Sequence, residues 1–220
     1  MSRLEADALR RALGECTIGR EIIALEETTS TNDAVLQMAT PNTREGLVLF
    51  AEHQSAGRGQ RNNRWESAAH KGLWFSILLR PMIDISKSAR LTAWAAEIVA
   101  KTILQELALA ATIKLPNDVC VEGKKVAGML VEMRAQEKAS HLAIAGIGIN
   151  VNQTLEDFSE ALRPRAVSLA MALDRHVNRQ EFAVALLRNL DRTYREIFAS
   201  YEGRSSSLLS DVKNQAAKPH

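Results

Sequence analysis

The residues best suited to chemistry lie in one stretch, Gln54-Ser55-Ala56-Gly57-Arg58-Gly59-Gln60-Arg61-Asn62-Asn63-Arg64-Trp65. It carries three arginines and no acid, and it ends in a tryptophan. Glycines at 57 and 59 let a backbone come close to a ligand and turn N–H groups toward an anion. Arginine forks suit a carboxylate or a phosphate. No Gly-Lys-Ser/Thr follows at P-loop spacing, and no third glycine opens a helix as a dinucleotide fingerprint would require. A solvated basic loop has the same residues, so the stretch by itself names no ligand.

Three further segments break the rules of the elements they sit in. Lys114-Leu115-Pro116-Asn117-Asp118 puts a lysine at the end of an apolar strand, before a turn; Asp118 can pair with that lysine or hold a metal ion. Lys124-Lys125-Val126-Ala127-Gly128-Met129-Leu130-Val131-Glu132 has small residues inside a strand, where a ligand or another backbone can approach. Gly146-Ile147-Gly148-Ile149-Asn150-Val151-Asn152 sets two bare positions on one strand face, with room for something flat. Packing or a bulge would account for either glycine segment equally well.

The elements that must position these segments follow from periodicity. Leu4 to Leu13 reads as an amphipathic helix and Ile22 to Leu25 as a strand. The polar run Glu26 to Asn32 is rich in N-cap residues and leads into a helix through Ala34, Val35 and Met38. Leu47 to Glu52 and Leu73 to Arg80 are strands on either side of a loop from His53 to Lys71. Leu91 to Leu109 is the longest helical pattern. Ile113 opens a strand, Val119 to Met133 reads as a hairpin around Glu122-Gly123, and His141 to Val151 is a strand. Gln180 to Tyr201 is an amphipathic helix ended by Gly203. About six strands that arrive partly as hairpins predict an α+β fold, a mixed and largely antiparallel sheet flanked by helices.

Composition removes several classes of function. A formal charge of +2 and 5% aromatics supply neither the basic surface nor the stacking array of a nucleic-acid binder. Cys16 and Cys120 form no C-x-x-C pair, and the five histidines lack metal-ligand spacing, which argues against a disulfide scaffold or a thiolate metal site. No apolar run approaches a membrane span, and the start has no signal-peptide core, so the expected location is the cytoplasm.

Taken in order, Ser30-Thr31-Asn32, the Gln54 to Trp65 loop, Lys114-x-Pro116-Asn117-Asp118, Lys125-x-Ala127-Gly128 and Gly146-x-Gly148-x-Asn150 resemble the biotin protein ligase family. The likeness runs from about residue 25 to about residue 200. It implies a class II synthetase-like biotin/lipoate ligase catalytic domain, of the single-function kind, over residues 1–204, with 205–220 a polar tail where the family's C-terminal SH3-like barrel is absent. The implied activity uses ATP and Mg2+ to make biotinyl-5′-AMP from biotin, then transfers biotin to a lysine of a biotin carboxyl carrier protein. Pairing of two subunits through a sheet edge is a further expectation.

By the same resemblance Lys114 and Arg58 are the catalytic cations, Lys114 lying between the biotin carboxylate and the α-phosphate. Ser30, Thr31, Asn32 and Gln54 bind the ureido ring, Arg58, Gly59 and Gln60 cover it, and Gly128 and Gly148 floor it. Arg61, Arg64, Trp65, Asn117 and Asn150 fall on the nucleotide side, and Asp118 is a candidate metal ligand. The loop departs from the family's G-R-G-R-x-G-R-x-Trp: Gln60 stands in place of the second arginine, and Asn62-Asn63 in place of glycine and arginine. This loop is therefore expected to hold the adenylate less tightly. A lipoate ligase, a nucleic-acid binder and a non-catalytic biotin-binding module are the rival readings. His53 and His70 border the loop and read as surface or supporting residues, and Trp74, Phe75 and Trp94 as core.

Overall fold

The computed structural model describes residues 3–135 and 141–198. Seven strands form one sheet in the order β1-β2-β3-β7-β6-β5-β4. They are β1 Glu21–Thr28, β2 Leu47–Gln54, β3 Leu73–Leu79, β4 Ala111–Lys114, β5 Asp118–Val121, β6 Lys124–Arg134 and β7 Leu142–Ile149. β1 runs parallel to β2 and every other pairing is antiparallel, so the expected mixed, largely antiparallel sheet is present. The parallel pair follows from the helix between its strands, because a parallel return needs a crossover. Among the described residues there are seven strands against the expected tally of about six, and β4 is the strand expected from Ile113.

Among the described residues the α-helices are α1 Ala6–Leu13, α2 Thr31–Met38, α3 Ala89–Leu107, α4 Leu169–Leu173 and α5 Arg179–Ile197. α3 buries Leu91, Ala95, Ile98 and Val99 at helical spacing, and α5 buries Phe182, Leu186, Leu190 and Tyr194. Both cover one face of the sheet, over Val48, Phe50, Phe75, Ile77, Ile147 and Ile149. α2 covers part of the other face, with Val35 against Leu47, Leu49, Leu78 and Ile144. β2, β3 and β7 are apolar on both faces because both faces are covered. Trp74, Phe75 and Trp94 are core residues as expected.

The short helix α4 escaped the sequence reading, and α5 ends at Ile197, before the expected Tyr201. The expected stop at Gly203 and the tail 205–220 lie outside the described residues.

A buried ion pair fixes the strand end that carries the site. Glu52, fully buried on β2, accepts from Arg179 Nη1 at 2.7 Å, Arg179 Nη2 at 3.3 Å and the Leu4 N–H at 2.6 Å. Arg179 also donates to the Gly72 carbonyl at 2.9 Å. One carboxylate thus joins the first residues of the chain, the start of α5 and both ends of the loop between β2 and β3.

Candidate functional site

One row of the sheet sets the geometry. Ala51, Trp74, Gly148, Gly128, Asp118 and Lys114 are successive partners across β2, β3, β7, β6, β5 and β4, so their Cβ directions share the face that α2 only half covers. The uncovered half is roofed by the basic stretch, which is an ordered hairpin. Trp65 N donates to Gly57 O at 2.8 Å and Gly59 N to Asn63 O at 2.7 Å, with a tight turn at Gln60–Asn62. Arg61 closes that turn with φ 57°. Ser67, 5% exposed, clamps the base: its hydroxyl accepts from Gln54 N at 2.8 Å and donates to Gln54 O at 3.0 Å.

The flat object over the strand glycines is the protein's own tryptophan. A Cβ on Gly148 would stand 2.6 Å from Trp65 Cε2 and Cζ2, and one on Gly128 would stand 2.8 Å from Cζ3. Gly146 serves a different neighbour, the Asn32 carboxamide, whose Oδ1 lies 2.3 Å from a Cβ position there. Trp65 Nε1 is buried with no hydrogen-bond partner, a donor aimed at the site.

The polar end of the pocket lies at the start of α2. Gln54 Oε1 accepts from Thr31 N at 2.8 Å and from Thr31 Oγ1 at 3.2 Å. Ser76 Oγ donates to Asn32 Oδ1 at 2.6 Å and lies 2.7 Å from Thr31 Oγ1. Asn32 Nδ2 donates to Leu130 O at 3.3 Å and Glu132 Oε2 at 2.6 Å. Ser30, the buried N-cap of α2, makes no capping bond with its side chain. Donors and acceptors thus alternate around a small pocket, as a cyclic urea requires.

Ser30, Thr31, Asn32, Gln54, Arg58, Gly59, Trp65, Asn117, Gly128 and Gly148 all line this inner pocket, as does Lys125. Its free volume is about 40 Å³. Ligand pockets usually hold roughly 300 Å³ or more, so the hairpin and its tryptophan must shift to admit a bicyclic acid. Beyond Trp65 a second cleft of about 400 Å³ is lined by Arg64, Lys114, Asp118, Lys125 and Asn150 among others. Gln60 and Arg61 border neither; they edge a basin on the outer side of the hairpin.

The lysine at the junction is Lys125, and the expected lysine, Lys114, is displaced. Lys114 is exposed on the edge strand and reaches the second cleft alone. Lys125 lines both clefts, with Nζ 2.6 Å from Asp118 Oδ1 and 5.2 Å from the Trp65 ring centroid. Strict alternation back from Gly128 would send Lys125 into the core. A bulge prevents this: Val119 pairs with Ala127 and Cys120 with Lys125, leaving Val126 unpaired. Val126 and Ala127 both enter the core, and Lys125 emerges on the site face.

Asp118 faces Lys125, so its charge is already engaged; among the described residues no group of three or more His, Cys, Asp or Glu could hold a metal ion. Burial first, and the Asp118 charge second, push the Cys120 thiol above its usual range, so it remains a thiol beside the lysine. Asn117 Nδ2 is spent on Met129 O at 3.0 Å. Asn150, 5% exposed, donates to Val167 O at 3.2 Å and accepts from Gln153 at 3.1 Å. Both asparagines brace backbone at the edge of the clefts. Ser76 was missed in sequence because a serine inside an apolar strand carries no signal of its own.

The family profile described as "Biotin/lipoate A/B protein ligase family" matches residues 24–150. The chain is 34% identical over 194 residues to "Bifunctional ligase/repressor BirA" of Bacillus spizizenii, covering 88% of this chain and 60% of that protein. It is 29% identical to "Biotin--[acetyl-CoA-carboxylase] ligase" of Mycobacterium tuberculosis, covering 96% of this chain and 82% of that one. Among solved structures, the biotin protein ligase of Aquifex aeolicus in complex with biotin and ATP superposes with a TM-score of 0.65 at 27% identity, covering 80% of this chain and 72% of that chain. The chain therefore spans about three fifths of the length of the Bacillus relative. Among the described residues no helix is long and apolar enough to cross a membrane.

Proposed function

The chain belongs to the Biotin/lipoate A/B protein ligase family, and on that premise we propose that it activates biotin with ATP as biotinyl-5′-AMP and passes biotin to a lysine of a carrier protein. The observation that carries this reading is the junction: a urea-sized polar pocket and a larger cleft meet at one lysine, Lys125, which lines both.

The chemistry asks for such a junction. A carboxylate oxygen must attack an α-phosphorus that is itself negative, forming a C–O–P link as the bond to pyrophosphate breaks. A fixed cation between the two anions lowers their repulsion and stabilises the charge that builds in transfer. Asp118 holds the Lys125 ammonium in place for this, at 2.6 Å. Arg58, on the hairpin, is the second cation. In the second half-reaction the carrier's amine attacks the acyl carbon, AMP leaves, and the amine gives up a proton.

Magnesium, arriving with the nucleotide, would neutralise phosphate charge; this fits a site with few carboxylates, since Mg2+ is commonly held by substrate phosphates. The family name covers lipoate as well, and the inner pocket separates the two acids. A dithiolane asks for apolar walls, whereas Thr31, Asn32 and Gln54 line this pocket with hydrogen-bonding groups. The carrier reading rests on the names of the relatives, one of which is a ligase of acetyl-CoA carboxylase. The relatives called bifunctional are matched over 60% of their length, and the proposal concerns the ligase activity alone.

Exchange of labelled pyrophosphate into ATP, run with biotin and with lipoate, decides between the acids. Exchange that depends on biotin supports the proposal. Exchange with lipoate alone, or with neither acid, contradicts it.

A further inference from the structure

Arg58 ties the hairpin that roofs the pocket to α2 and β6. Arg58 Nη2 lies 2.6 Å from Asp33 Oδ1 and 3.1 Å from Glu132 Oε2, and Arg58 Nη1 lies 3.3 Å from Glu132 Oε1. The two contacts to Glu132 form a fork-to-fork arrangement, which fixes direction as well as distance. Ion pairs this exposed usually contribute little on their own. What distinguishes Glu132 is its other partner: Oε2 also accepts from Asn32 Nδ2 at 2.6 Å. Asn32 in turn accepts from Ser76 and stands over Gly146 at the polar end of the pocket. A single carboxylate thus touches the roof and the ring pocket at once. Asp33 touches the roof arginine and, among the described residues, makes no hydrogen bond to the ring-pocket amides.

We propose that Glu132 is a positioning residue that couples the roof to the ring pocket: by sharing its carboxylate between Arg58 and Asn32 it closes the hairpin over an occupied pocket and retains the activated intermediate. The inference rests on the proposed function, since it supposes that the occupant is the acyl-adenylate. Glu132 acts through Arg58 and through the Asn32 amide, without contact with the reacting atoms. Neutralising it leaves an amide that can still accept from Asn32 but no longer carries the charge that turns Arg58 inward across the pocket mouth.

The test measures dissociation of purified biotinyl-AMP from wild type, Glu132→Gln, Asp33→Asn, Arg58→Gln and the double variant Glu132→Gln/Arg58→Gln, with thermal unfolding in parallel. Glu132→Gln should release biotinyl-AMP roughly three- to tenfold faster, a coupling of the size found between residues in one network. Asp33→Asn should accelerate it less, and the unfolding temperature of Glu132→Gln should match wild type. In the Arg58→Gln background the Glu132→Gln change should add nothing. Unchanged or slower release, or an equal acceleration without Arg58, overturns the coupling. Wild-type protein that does not bind biotinyl-AMP overturns the proposed function, and this inference with it; normal wild-type retention with no effect of Glu132→Gln overturns the inference alone.

Discussion

Lys125 folds back over Gly128: its Cε and Nζ lie 2.9 and 3.0 Å from the point where a Cβ on residue 128 would stand. The absence of a side chain at 128 is what allows the ammonium to reach the junction from three residues away. Gly128→Ala therefore displaces the end of a flexible lysine, together with the Trp65 edge at 2.8 Å, and no backbone atom. The expected outcome is a loss of adenylation of at least tenfold with an unfolding temperature near that of wild type. Gly46→Ala is the contrast: φ is 94° there and a Cβ would meet the Thr17 carbonyl oxygen at 1.8 Å, so that variant should unfold early.

Gln60 stands on the outer rim of the hairpin. Gln60→Arg adds a charge to the roof without touching the ring pocket. Leakage of biotinyl-AMP, followed by its appearance free in solution during turnover, should slow in this variant. Equal leakage from the two proteins would show that residue 60 does not set retention.

Glu52→Gln tests the anchor beneath the site. It removes the carboxylate charge that faces the Arg179 guanidinium, 5% exposed, and breaking one side of a buried pair costs about 3–5 kcal/mol. Denaturant unfolding should show that loss. Replacing Glu52 and Arg179 together by apolar residues should recover part of it.

Asp157 gives a pH signature. Burial alone would raise its carboxyl pKa, but the hydrogen bond from Lys71 and those from Thr154 outweigh it, and the pKa falls below the usual range. A depressed carboxyl stabilises the fold above its ordinary pKa of about 3.9, and that stabilisation is lost as pH falls through the lower folded value. Asp157→Asn should therefore cost about 1 kcal/mol at neutral pH and nothing once wild-type Asp157 is protonated. A difference that persists in acid would mean that shape, and not charge, matters at residue 157. The link bears on the site, because the Lys71 carbonyl accepts from Asn152 N just beyond β7.

The sequence made the sheet legible because its central strands are apolar runs bounded by turn residues, and Glu122-Gly123 marked a hairpin whose two φ angles, 52° and 75°, are positive as a primed turn demands. Ser30, Thr31, Asn32 and Gln54 were named together through the resemblance alone, and the fold brings them to one pocket. Lys125 was not legible as a site residue. Period-two alternation from Gly128 assigns it to the core, and only the unpaired Val126 reverses its direction. Lys114 looked right in its local context, but β4 is the sheet edge, two strands out from Gly128 and about 10 Å away at ordinary strand spacing. The role of Trp65 as occupant of the glycine slot needed the hairpin's closure, which pairs residues that no local pattern connects.

The central claim is that the cation at the junction of the two clefts drives acyl-adenylate formation, and one single-turnover measurement tests it: biotinyl-AMP formed from biotin and ATP by wild type, Lys125→Ala and Lys114→Ala. The account predicts a wild-type burst that falls by a factor of roughly 100 or more in Lys125→Ala, the scale of losing one preorganised electrostatic group, and stays within a few-fold in Lys114→Ala. A full burst from Lys125→Ala, with the loss appearing in Lys114→Ala instead, would contradict it.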